Sequence, residues 1–123
     1  MLLRFLLAIA LTAVAVLPAQ AQLVRSAPAA GAAVRAVSQI DFAFAAPVNA
    51  ATAGAQIVMT AMPGMTDHPP MAIKGFTIVP GADGRALRLK LRKPLVPGDY
   101  TVSWSVAGAD GKRLTGKLSF KVQ

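Results

Sequence analysis

The chain has 123 residues, with 13 Lys and Arg against five Asp and Glu, one His and no Cys, for a formal net charge of +8. That length holds one domain with a single core, and the lack of cysteine excludes disulfide staples and thiolate sites, so burial must hold the fold. One histidine without cysteine leaves no Cys/His pair, and no paired carboxylates flank a predicted cleft, so the chain does not read as an enzyme.

The opening segment MLLRFLLAIALTAVAVLPAQAQ has Arg4 near its start, an apolar run from Phe5 to Leu17, then Pro18 and the triplet Ala19-Gln20-Ala21. This is the layout of a secretory signal peptide. The apolar run is short for a bilayer span, and the small residues Ala19 and Ala21 sit where signal peptidase needs them. Residues 1–21 are expected to be removed, leaving 22–123 as an exported domain that is not transmembrane; cleavage after Ala19 would expose Gln20 in place of Gln22. Loss of Arg4 still leaves the domain basic. Membrane headgroups or an acidic protein suit this charge better than nucleic acid, for which no aromatic-rich basic motif is present.

Beyond the leader, apolar and polar residues alternate with period two between Gly, Pro and Asp signals, which predicts an all-β domain. LVRS opens a short strand and PAAGAAV is a turn-rich link. SQIDFAF places Ile40, Phe42 and Phe44 on one face; PVNAATAG is weakly patterned and admits a short helical turn before the strand AQIVMT. Lys74 to Val79 forms the next strand, PGADG turns the chain, and RALRLKL puts Leu87, Leu89 and Leu91 inward with Arg88 and Lys90 on a solvated basic face. DYTVSWSV alternates Tyr100, Val102, Trp104 and Val106, and KLSFKV closes with Leu118, Phe120 and Val122. About seven short strands in a domain of this size predict a two-sheet, immunoglobulin-like Greek-key sandwich or barrel, with Phe42, Phe44, Leu87, Leu89, Tyr100, Val102, Trp104 and Phe120 in the core. Pro47, Pro80, Pro94 and Pro97 fall at predicted strand ends, where a missing amide donor costs little.

Met59 to Met71, MTAMPGMTDHPPM, holds every methionine after the first residue and the chain's one histidine. Methionine is a common core filler, and Met59 fits that role beside Ile57. Met62, Met65 and Met71 fit it badly, because Pro63-Gly64 and Pro69-Pro70 forbid a continuous helical stripe and mark a surface excursion. Thioether sulfur is a neutral, soft ligand that selects Cu(I) over hard divalent ions. It has no proton to lose and forms no disulfide. Met59, Met62, Met65, His68 and Met71 are therefore candidate metal donors, with Met59 the weakest. His68 ligates only while neutral, so binding weakens modestly as pH falls through the range of an ordinary imidazole, ~6.5. Asp67 either orients that ring or serves the turn. Five candidates exceed the three or four that Cu(I) usually takes, and an exposed loop able to exchange donors suits a carrier better than a structural site. Ag(I), equally soft, would serve as a surrogate.

LVRSAPAAGA, the MPGMTDHPPM loop and the run PLVPGDYTVSWSVAGADGK together resemble the CopC/PcoC family of periplasmic copper-binding proteins. The resemblance implies a cupredoxin-like Greek-key sandwich, a periplasmic location and a role in copper homeostasis and resistance with a copper-transport partner protein. It also implies a Cu(I) site that maps onto Met59, Met62, Met65, His68 and Met71. Many members carry a second, Cu(II) site built from an N-terminal histidine, an aspartate and a histidine in a D-G-H triplet. Here Gln20-Ala21-Gln22-Leu23 replaces the leading histidine, and the triplet reads Asp110-Gly111-Lys112. Protonated lysine has no lone pair to offer. The Cu(II) site (Gln20, Gln22, Asp110, Lys112) is thus expected to be degenerate, and Asp110 is explained by an Asp-Gly turn. The competing expectation is a metal-free immunoglobulin-like interaction module that uses the methionine loop as an adaptable protein contact.

Overall fold

Strict alternation decides which face each strand buries. A computed structural model of the protein describes residues 23–64 and 69–123, and in the strand Gly98–Gly108 every second residue is buried, Tyr100, Val102, Trp104 and Val106 among them, while the residues between are half-buried. Nine strands are described: β1 (Leu23–Ala27), β2 (Ala33–Val34), β3 (Gln39–Phe44), β4 (Val48–Ala61), β5 (Met71–Ile73), β6 (Phe76–Pro80), β7 (Ala86–Leu91), β8 (Gly98–Gly108) and β9 (Arg113–Val122). One sheet has the order β1-β3-β7-β6, the other β2-β9-β8-β4-β5. All pairings are antiparallel except β2 with β9.

The predicted two-sheet sandwich is therefore the fold. Its seven expected strands are joined by two short ones, β2 of two residues and β5 of three. The larger difference lies in PVNAATAG, which forms no helical turn: from Val48 it is the first half of a continuous 14-residue strand. Pairing slips between Asn49 and Gly54 against β8, and polar side chains replace the ladder bonds lost there. The Thr52 hydroxyl accepts from the Ala107 amide at 2.8 Å and donates to the Asn49 carbonyl at 2.7 Å, while Asn49 Oδ1 accepts from Ala51 N at 3.1 Å. With Asn49 and Thr52 supplying those partners, small alanines tolerate the bulge.

Both sheets send their apolar faces into one core. Ile40, Phe42, Ile57, Leu89, Tyr100, Val102 and Val106 are all at most 1% exposed. Trp104 sits between Phe42 and Phe44, with ring centroids at 6.0 and 5.4 Å, the second in edge-on contact; such pairs add to simple burial. Room for the indole comes from Gly116, its partner across the β8–β9 ladder. A Cβ at Gly116 would meet Trp104 Cζ2 at 2.5 Å and Cε2 at 2.8 Å. Gly116→Ala should therefore push the chain's single tryptophan, destabilise the domain by about 1–3 kcal/mol and change the indole emission spectrum; wild-type stability with unchanged emission would contradict this packing.

Tyr100 stacks on Phe120 at 5.7 Å, and its hydroxyl donates to the Val96 carbonyl four residues upstream. Burial raises the phenol above its ordinary 10.0. The folded state thus holds this proton more tightly than the unfolded chain, and the corresponding stability is complete below pH 10.0 and is lost as pH rises beyond it. Tyr100→Phe should cost about 1 kcal/mol at neutral pH and lessen the alkaline loss, as read by urea unfolding at several pH values.

Candidate metal centre

Strand register assigns every loop to one of two ends. β3 and β4 meet near Phe44 and Val48, beside the β8–β9 turn, because Val48 pairs with Gly108. β4 leaves at Ala61 opposite Asp99, and β9 finishes there at Val122 opposite Gly98. The methionine segment therefore emerges at the end of the sandwich far from Asp110-Gly111-Lys112.

β5 brings the segment's last methionine back onto β4. Met71 lies directly opposite Met59, Ala72 opposite Val58 and Ile73 opposite Ile57. Facing residues of an antiparallel pair share one side of the sheet with Cβ atoms about 4.5–5.5 Å apart. Their environments differ sharply: Met59 is 2% exposed, whereas Met71, on the edge strand, is 47% exposed. Met59 packs as a core side chain against Gly98, where an added Cβ would lie 3.4 Å from Met59 Cε and only 2.6 Å from the Ala61 carbonyl oxygen. Only glycine lets the start of β8 come this close to the end of β4.

Met62 follows just past a register slip between Met59 and Ala61. It is half-buried against the core and lines a cavity of about 300 Å³ with Pro63, Pro97, Asp99, Lys121 and Gln123. Met65, Asp67 and His68 lie outside the described residues, as do Gln20 and Gln22. Among the described candidates, the fold thus gathers Met59, Met62 and Met71 at one end. Among the described residues no group of three or more His, Cys, Asp or Glu that could hold a metal occurs; beside Met62 the cavity also carries the Asp99 carboxylate.

At the other end, Asp110 is engaged in the turn. Its Oδ1 accepts from Lys112 N at 3.0 Å, and Gly108 N donates to Lys112 O at 2.9 Å to close the β8–β9 connection. The side chains of Asp110 and Lys112 are exposed there.

One neighbour of the methionines was hidden in the sequence. Residues 92–97 pack over this end through Leu95, 7% exposed, whose amide donates to Val37 O at 2.9 Å, and through the Tyr100–Val96 hydrogen bond. The only hint was a Tyr three residues after Pro97, since a strand-edge tyrosine can bond back to the chain upstream.

Comparison with known proteins agrees with this fold. A family model for the CopC domain matches residues 23–123. Copper resistance protein C of Pseudomonas syringae pv. tomato is 37% identical over 105 residues, covering 85% of this chain and 82% of the relative. The protein of the same name from Escherichia coli is 34% identical with the same coverage. Among solved structures, Escherichia coli PcoC, described as a methionine rich copper resistance protein, superposes with a TM-score of 0.77 at 32% identity, over 85% of this chain and all of that one. CopC from Methylosinus trichosporium OB3b gives 0.70 at 25% identity, over 85% and 94% of the two chains. Likeness in both sequence and fold runs from β1 through β9: the chain belongs to the CopC family.

Proposed function

We propose that the chain is a non-enzymatic periplasmic Cu(I) carrier or buffer serving copper resistance, with Met62, Met65, His68 and Met71 as the principal donors. The observation that carries the reading is Met71. A large thioether side chain is held 47% exposed on an edge strand directly opposite Met59, at the end where the Pro-bounded remainder of the segment leaves and returns. Exposure forfeits burial energy, and soft-metal ligation gives that exposure a purpose. The relatives' names as copper resistance proteins add support.

Met59 stands differently. Its sulfur belongs to the core, so recruiting it as a donor costs the packing of a buried side chain. It acts as a reserve ligand beside Met71. The absence of histidine from positions 20, 22 and 112 leaves Cu(II) without an imidazole at the opposite end, and the processed chain is selective for the reduced ion. Release to a copper-transport partner follows from having more donors than the ion needs.

The test is competition for Cu(I) between a chromogenic chelator and the processed chain, residues 22–123. One equivalent should be withdrawn. Replacing both Met62 and Met65 by Leu should weaken capture by roughly tenfold or more, whereas Met59→Leu, which conserves core volume, should change it far less. Failure to withdraw one equivalent, or unchanged capture in the double variant, would contradict the reading. Capture of a protein partner that is independent of Cu(I) and survives His68→Ala would favour the metal-free interaction module instead.

A further inference from the structure

Val96 and Met71 are both large apolar side chains left in solvent, 52% and 47% exposed, and both sit at the methionine end. The backbone around Val96 is anchored by the buried Leu95 and by the Tyr100 hydroxyl, so Val96 projects from a fixed support. Prolines 94 and 97 beside it, and prolines 69 and 70 before Met71, are exposed as well.

Several cations share this end of the sandwich with them. Arg92 N donates to Gly75 O at 2.8 Å and the Arg92 stem lies over Gly75, within 3.6–3.8 Å of where a Cβ would be. This contact ties Arg92 and Lys93 to Lys74. Lys121 pairs in register with Ala33 and Asp99, near Arg35 beyond β2. Arg35, Lys74, Arg92, Lys93 and Lys121 are all exposed, and among the described residues the ion pair is Arg88 with Asp41, which engages none of them. Asp99 is the carboxylate described at this end; Asp67 lies outside the described residues. The opposite end mixes Arg85, Lys112 and Arg113 with Asp83 and Asp110.

We propose that the methionine end is a peripheral membrane contact that seats on anionic phospholipid, with Val96 and Met71 entering the interface and the flanking cations meeting lipid phosphates. Exposed apolar side chains beside prolines need no matching pocket in a fluid headgroup layer. A protein partner would have to supply one. Either signal alone binds weakly, and together they give stable but reversible association that weakens with salt. The proposal does not depend on copper, and its test uses metal-free protein.

The processed chain, residues 22–123, is sedimented with vesicles of phosphatidylglycerol mixed with phosphatidylcholine and with vesicles of phosphatidylcholine alone. It should bind the first and not the second, and high salt should release it. Arg92→Glu with Lys93→Glu should weaken partitioning by about tenfold or more, whereas Arg85→Glu with Lys112→Glu at the far end should change it by no more than about twofold. Val96→Asp should also weaken it. If the glutamate pair fails to fold, Lys74→Gln with Lys93→Gln, both exposed and neutral, should shift partitioning in the same direction. No association with anionic vesicles, or equal loss from charge reversal at either end, would overturn the proposal, and binding an acidic protein without binding vesicles would assign the surface to that class of partner instead.

Discussion

The methionine end depends on the pairing of β4 with β8, which sets Met59 opposite Tyr100. That single register point fixes several things at once. It turns Met59 inward, it places the Tyr100 ring where its hydroxyl can hold Val96, and it leaves the other edge of β4 free to receive Met71 on β5. Because side chains alternate between sheet faces, a slip of one residue would turn Met59 and its neighbours to the wrong side. Gly98 guards the arrangement sterically, since the Ala61 carbonyl would lie 2.6 Å from any Cβ there.

A domain without cysteine must draw its stability from burial, and the core is correspondingly dense in large side chains. Tyr100, Phe42, Ile40, Ile57, Met59 and Leu89 are nearly inaccessible to solvent. Rigidity there matters to the site. Met59 is enclosed by that packing, whereas Met71 on the edge strand stands 47% exposed. Trp104 Nε1 is the one buried side-chain polar atom without a hydrogen-bond partner among the described residues, a cost accepted for seating the indole between Phe42 and Phe44 over Gly116.

Much of the fold was legible because alternation is a local signal. The strands containing Ile40, Phe42 and Phe44, Leu87 and Leu89, and Tyr100, Val102 and Trp104 could be read directly, along with the faces they bury. β2 and β5 were not, since two or three residues carry no period, and each is a strand only because a long neighbour offers it free backbone groups. The first half of β4 was obscured by alanines; Asn49 and Thr52, which repair its bulge, look in sequence like loop residues. For the candidate site, composition and prolines marked the segment, and Met59 was readable as the candidate most like a core residue. The direct opposition of Met59 and Met71, and the loop 92–97 packed beside them, depend on contacts between segments distant in sequence.

The proposed copper ligand is thioether sulfur from the Met59–Met71 segment, and X-ray absorption at the copper edge of Cu(I)-loaded residues 22–123 reads that bond itself. Sulfur should be bound to copper together with a light donor from the imidazole, and sulfur scattering should fall when Met62 and Met65 are replaced by Leu. A spectrum fitted by nitrogen and oxygen alone, or sulfur scattering that the double replacement leaves intact, would contradict that ligation.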